Sequence, residues 1–340
     1  MHALKCDVLL DMQKFVAVAV LAGFPLVAQV RMTQGDNQIA VAIDGKPYTT
    51  FFYGPEVAKP YLYPLRAPSG VVVTRAFPMD KVAGESTDHP HHRSLWFAHS
   101  SVNGYDYWNN DFSYENNPKT AGKLGHIYVT KVSKVQSGAK TGEIDESSVW
   151  IQPNGVVVLN EDRKMIFHAG GPDRVIDFDF TLTAKTVVKM GDAKDGVFGI
   201  RVASGLEEPL PKSIPEPKRT GLMINAQGCK TEAECWGKRS EWMDYSGTVE
   251  GQQVGIAIFD TPGNSGFPTY WHARGYGLFG NNIYGRSEFT NKAEPDGSVT
   301  LQPGDQQHFR YRVVIHPGDA ASAKIAELYK EWATQYSAKK

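Results

Sequence analysis

Three observations predict an all-β fold, a large antiparallel sandwich with one C-terminal α-helix. Short apolar-alternating runs recur at roughly ten-residue spacing, turn residues separate them, and helical periodicity appears only at the end of the chain. Ile39, Val41 and Ile43 alternate with small or polar neighbours, Asp44-Gly45 supplies a hairpin turn, and residues 48–53 form the returning strand. Further strands are predicted at 71–74, 95–98, 127–132 and 148–152, the last turning through Pro153-Asn154-Gly155 into 156–159. The run Ile176-Asp177-Phe178-Asp179-Phe180-Thr181-Leu182-Thr183 alternates strictly, so Asp177 and Asp179 are expected on a wet face, without a catalytic part. Strands follow at 197–203, at 254–259 after Glu250-Gly251, and through Phe309, Tyr311, Val313 and Ile315. Asp319 can cap a helix over about 320–338 in which Ile325, Leu328, Tyr329, Trp332 and Tyr336 recur at three- and four-residue steps; it is expected to pack across the β body.

No repeat or linker divides residues 29–340, which are expected to form one domain. The stretch 207–217, with Pro209, Pro211, Pro215 and Pro217, reads as a stiff surface loop beside the site. Formal charge is nearly balanced, 36 Lys and Arg against 37 Asp and Glu, and no basic block tracks a phosphate backbone, which argues against nucleic acid. Seven Trp and fifteen Tyr suit stacking on sugar rings and a β-rich core alike.

Residues 1–28 read as a signal peptide. Lys14 leads an apolar run, 15–28, that Gly23 and Pro25 interrupt and that is too short for a comfortable membrane span. Cleavage is expected after Ala28, and Met12 is an alternative start because Asp7 and Asp11 suit a signal n-region poorly. Cys6 lacks a lipobox. An uncleaved anchor is the competing reading. Either way the folded part is expected outside the cytoplasm, periplasmic or secreted, with no stable membrane insertion once the signal is removed. In that compartment Cys229 and Cys235 are expected to form a disulfide, two free thiols being the alternative. With no histidine nearby in sequence, the pair makes a poor zinc site.

Chemistry is densest in Asp88-His89-Pro90-His91-His92-Arg93-Ser94-Leu95-Trp96-Phe97-Ala98-His99, which holds four of the chain's ten histidines. Histidine exchanges protons or ligates metal near neutral pH. In an extended conformation His89 and His91 share one face and His92 takes the other, with 95–97 continuing as a supporting strand. A polar turn opening a buried strand is the alternative. A second cluster, Trp236-Gly237-Lys238-Arg239-Ser240-Glu241-Trp242-Met243-Asp244-Tyr245-Ser246-Gly247, mixes indoles with both signs of charge, as a sugar pocket or a solvated edge strand would. A third, Thr269-Tyr270-Trp271-His272-Ala273-Arg274-Gly275-Tyr276-Gly277, joins aromatics to a histidine and an arginine, and its glycines allow close backbone approach. His126, His168, His308 and His316 lack such company and read as structural or exposed.

In this order the three clusters resemble the bacterial PmoA-like family over about residues 36–317. The resemblance implies a soluble β-sandwich protein tied to carbohydrate catabolism, with a fold similar to the galactose mutarotase-like supersandwich shared by sugar epimerases, lyases and hydrolases. The family name points to methane oxygenation, an integral-membrane activity. No apolar run after residue 30 could cross a bilayer, so a genuine methane monooxygenase is not expected.

The first functional expectation is an exported carbohydrate-active enzyme of epimerase, lyase or hydrolase type, using His89, His91, His92, His272, Glu241 and Asp244 for acid–base chemistry. His91 or His89 would be the acid and Glu241 or Asp244 the base. Arg93, Trp236, Lys238, Arg239, Trp271 and Arg274 would bind a small-molecule or oligosaccharide substrate. The second is a divalent-metal site built on His89 and His91 with His272 or His99 and a carboxylate; no other cofactor is implied. The third is a non-catalytic periplasmic sugar-binding protein. In each case His89, His91, His92, Trp271, His272 and Arg274 are expected to line one pocket on a concave sheet face, because neither cluster tolerates burial alone.

Overall fold

The computed structural model describes residues 29–209 and 218–337. The expected signal peptide, the alternative start at Met12 and Pro211, Pro215 and Pro217 lie outside the described residues.

Two eight-stranded antiparallel sheets dominate. In spatial order the first holds Val30–Gly35, Gln38–Ile43, Lys46–Phe52, Tyr61–Tyr63, Leu95–His99, Gly196–Arg201, Leu278–Asn282 and Tyr270–Arg274. The second holds Leu222–Asn225, Trp242–Val249, Gln252–Asp260, Gln306–Pro317, Arg174–Ala184, Val157–His168, Thr141–Ile151 and His126–Gln136. Their inner faces meet where Phe97 stacks on Phe180 at 4.1 Å and Phe198 packs on Phe178 at 5.0 Å and Tyr311 at 4.6 Å. Period-two patterning produces this contact: Ile176, Phe178, Phe180 and Leu182 are buried inward. Asp177 and Asp179 point outward, ion-paired to Arg312 and Arg310 rather than freely solvated.

The helix Ile325–Ser337 lies on the outer face of the second sheet, where Ile325 and Trp332 cover Trp242, Phe259 and Val314. It begins later than its sequence suggests. Asp319 accepts the Ser322 backbone N–H at 2.8 Å and so closes an earlier turn, which Lys324 ends in the left-handed region at φ 54°. Residues 71–74 form no strand. Arg66 pairs with Val72 and Thr74 with Val202 as isolated bridges, because the Gly70 turn folds this segment back on its predecessor.

One inner-face feature carries charge. Arg163 lies between Glu146 at 3.1 Å and Glu161 at 2.6 Å, with its guanidinium over both Phe51 and Phe180. Ser148 donates to Glu146 and Trp150 Nε1–H to Glu161. Burial pushes the Glu146 carboxyl up to about 8, with Arg163 opposing.

Candidate functional site

The polar clusters converge on the face of the first sheet that points away from the second. Phe97 faces the core, so its neighbour Trp96 faces out, and cross-strand register sets Gly199, Gly280 and His272 in line with it. Arg201, Leu278 and Arg274 form the adjacent row. A Cβ on Gly199 would come within 2.5 Å of the Trp108 ring, so glycine here makes room for the packed indoles of Trp96 and Trp108, 4.9 Å apart.

The histidine run is a turn, not an extended segment. His89 and Ser94 are left-handed, at φ 43° and 61°, and the His92 N–H donates to the His89 carbonyl at 3.0 Å. All three imidazoles therefore gather instead of alternating faces. His89 stacks parallel to His92 at 4.8 Å, and His91 meets His92 edge-on at 4.3 Å. Tyr276 extends the stack beyond His89 at 5.5 Å and Trp96 beyond His92 at 5.2 Å. His91 and His92 are only 3% and 2% exposed. Burial, reinforced by Lys59, Arg75 and Arg201 around His91 and by Arg201 and Arg75 around His92, holds both rings neutral, far below the usual histidine range. Neither ring nitrogen of His91 has a hydrogen-bond partner among the described residues. Tyr114 borders the ring at 5.8 Å.

Asp88 organises the outer part of the cluster. Its carboxylate meets Arg75 at 2.5 Å, Arg201 at 3.0 Å and His89 Nδ1 at 3.1 Å, and both arginine side chains are fully buried. Burial opposes ionisation of Asp88, yet the His89 imidazole 3.1 Å away and the charges of Arg201 and Arg75 outweigh it and hold the carboxyl well below its usual range. With Nδ1 turned to Asp88, His89 Nε2 has no partner among the described residues, and the side chain is 42% exposed. Beneath, buried Lys59 donates to the carbonyls of Trp108 and Asn110 and to Asn110 Oδ1. Burial and Arg93 pull its ammonium down to about 7, against Asp111 and Asp106.

Across Tyr276 lies the other half of the face. The Arg274 guanidinium sits 5.3 Å from the Trp236 ring and 5.5 Å from the Tyr276 ring, with Nε 3.2 Å from Glu232. His272 is edge-on to Trp236 at 4.9 Å, and its Nδ1 is 3.3 Å from Asp195. Burial lowers His272 to about 4 despite Asp195. Trp236 follows the short helix Thr231–Cys235, which the Cys229–Cys235 disulfide closes and which Glu232 ties to the Gly275 N–H at 2.6 Å. Reducing this bridge is expected to cost about 2 kcal/mol, because so small a loop restricts the unfolded chain modestly. Urea unfolding with and without reductant measures it, and a coincident pair of curves would count against the bridge as a stabiliser.

Several expected site residues lie elsewhere, one because strand neighbours point to opposite faces and the others because residues 238–244 belong to the second sheet or to the segment leading into it. Trp271, beside His272, points inward, is fully buried and donates Nε1–H to the Ser240 carbonyl. It cannot stack on a ligand beside His272. Asp244 is buried on the outer face of the second sheet, 2.7 Å from His316 Nε2, and cannot serve as base to the histidines; His316 is its structural partner. Glu241 accepts from Gln227 and acts electrostatically on Tyr329 of the C-terminal helix, which places it beside that helix too. Arg239 spends its guanidinium on the carbonyls of Pro268 and Gly266. Lys238 is exposed, with no side-chain partner among the described residues. Arg93, paired with Asp111 at 2.8 Å, borders the histidine turn.

His99 faces the core, against Tyr284 and the Gly191 carbonyl, so it cannot join a site on the outer face. Trp236, Arg274 and Tyr276 stand between His272 and the histidine turn, and among the described residues no three His, Cys, Asp or Glu side chains converge on a metal position. Sequence reasoning missed Lys59, Arg75, Arg201, Asp195 and Glu232. A single charge at the end of an apolar run, as at Arg75 and Arg201, was the available cue.

The sequence pattern of DUF6807, a family of unknown function, matches residues 38–330. No curated protein matches the chain. Solved structures similar to it include the GH36 alpha-galactosidase AgaA from Geobacillus stearothermophilus, at 11% identity and TM-score 0.37, with 87% of this chain and 41% of that one covered. A galactose mutarotase-like protein from Lactobacillus casei ATCC 334 matches at 8% identity and TM-score 0.31, covering 84% and 100%. A galactose mutarotase related enzyme from Lactobacillus acidophilus matches at 8% and 0.27, covering 85% and 98%. The chain thus spans less than half the length of the alpha-galactosidase. Among the described residues no helix is long and apolar enough to cross a membrane.

Proposed function

The chain belongs to DUF6807, whose description names no function, and from its own residues we propose a carbohydrate-active enzyme that works by acid–base catalysis on the outer face of the first sheet. The observation that carries this is the Asp88–His89 pair. A carboxylate clamped by two buried arginines orients one imidazole nitrogen and leaves the other open to a ligand. In this arrangement His89 Nε2 exchanges the proton with substrate while Asp88 fixes the tautomer. His91 and His92, kept neutral, pack beneath it. Trp236, Tyr276 and Tyr114 supply partly exposed rings for the apolar face of a sugar. The resemblance of the three clusters to PmoA-like proteins, which implies a tie to carbohydrate catabolism, fits the same reading. His89 thereby takes the proton-transfer part first divided between a histidine and Glu241 or Asp244.

The test is proton NMR of the purified protein with a panel of mono- and disaccharides and sugar acids. Anomerisation, epimerisation, elimination and hydrolysis each leave a distinct product spectrum. Failure to change any of them would remove the enzymatic reading.

The protein acts outside the cytoplasm in this proposal, which the 15–28 apolar run and the Cys229–Cys235 disulfide support. N-terminal sequencing of protein recovered from the cell envelope should begin at Gln29. An intact 15–28 segment would refute the cleavage.

A further inference from the structure

We propose that the sugar taken by this face carries a carboxylate, read by Arg274. The inference rests on the acid–base reading above and adds the class of substrate. The Arg274 guanidinium is held between two rings, those of Trp236 and Tyr276, so its orientation is set before any ligand arrives. Its inner nitrogen faces Glu232, which is itself fixed by the Gly275 N–H. The two terminal amino groups have no hydrogen-bond partner among the described residues, and the side chain is 36% exposed. An open fork of parallel N–H donors fits two oxygens of one carboxylate better than it fits a hydroxyl.

Placement adds to the argument. Tyr276 touches both the His89 ring and the Arg274 guanidinium, each at 5.5 Å, so a hexose-sized ring over this stretch can meet the open imidazole nitrogen at one end and the guanidinium at the other. Fully buried Arg201, 4.6 Å from the same tyrosine ring and ion-paired to Asp88 and Glu207, fixes that ring from below. Of the neighbouring carboxylates, Asp88 is committed to Arg75 and Arg201, Asp195 to Lys194 and His272, and Glu232 to Arg274 itself. Glu208, beside Gly275, accepts the Glu232 backbone N–H.

The test is calorimetric titration of the full chain with D-glucuronate and D-galacturonate, their methyl esters, and the parent hexoses. At least one acid should bind about tenfold or more tightly than its ester and hexose. Arg274→Gln should bring acid and ester to equal affinity, and Arg274→Lys, which keeps charge but not the fork, should leave a preference in between. Equal affinity for acid and ester, a preference that survives Arg274→Gln, or no binding of any acid overturns the inference. Acids that bind through Arg274 but are never turned over would instead overturn the acid–base reading and leave this one standing. A neutral hexose turned over without need of Arg274 does the reverse.

Discussion

Replacing His89 with asparagine is expected to lower turnover by about two to four powers of ten, the usual contribution of a positioned proton-transfer group. Asparagine is the informative substitute because residue 89 sits at φ 43°, a region asparagine adopts more readily than most side chains. The ring lost is 42% exposed, so little buried area goes with it and the unfolding midpoint should barely move. Asp88→Asn is a poorer probe: the same carboxylate balances two fully buried arginines, and its loss would destabilise the turn as well as misorient the imidazole. His91→Ala supplies the contrast. That ring is packed against His92, His89 and Tyr114, so its removal should cost stability first. Turnover near wild type in His89→Asn, together with a folded but inactive His91→Ala, would transfer the proton-transfer part to His91.

The two layers were legible because burial on one side of a strand writes itself as alternation. Ile176, Phe178, Phe180 and Leu182 face the core, and the residues between them do not. The face that carries the site was legible only as density. Six charged or histidine residues between Asp88 and His99 marked the place, but a left-handed His89 before Pro90 turned the segment, and a turn has no period from which faces can be read. The Trp236–Gly247 and Thr269–Gly277 clusters failed in another way. Composition presents each as one block, whereas strand geometry sends Trp271 and His272 to opposite faces and buries Asp244 on the C-terminal helix's side of the second sheet. Arg75, Arg201 and Asp195 reach the site from segments distant in sequence, so only the fold brings them to Asp88 and His272. The late start of the final helix depends on one left-handed residue, Lys324, which composition does not announce.

The largest stability effect is expected at Arg163. Among the described residues its guanidinium is the single counter-charge to two carboxyls in the inter-sheet core, and its side chain is 4% exposed. Arg163→Met keeps most of the volume but leaves Glu146 and Glu161 facing each other in a dry environment, which should cost about 3–5 kcal/mol. Removing the charges together should cost far less. In Arg163→Met with Glu146→Leu and Glu161→Gln, the glutamine still accepts the Trp150 Nε1–H, and no buried carboxylate is left without its counter-charge. The pH dependence has a definite sign. Burial raises the Glu146 carboxyl to about 8 in the folded chain, so its contribution is fully present below the unfolded glutamate range and is lost as pH rises through about 8. Urea unfolding of wild type and both variants between pH 6 and 9 checks all three statements. If the single and triple variants lose the same stability, Arg163 contributes packing alone, and the charge argument fails.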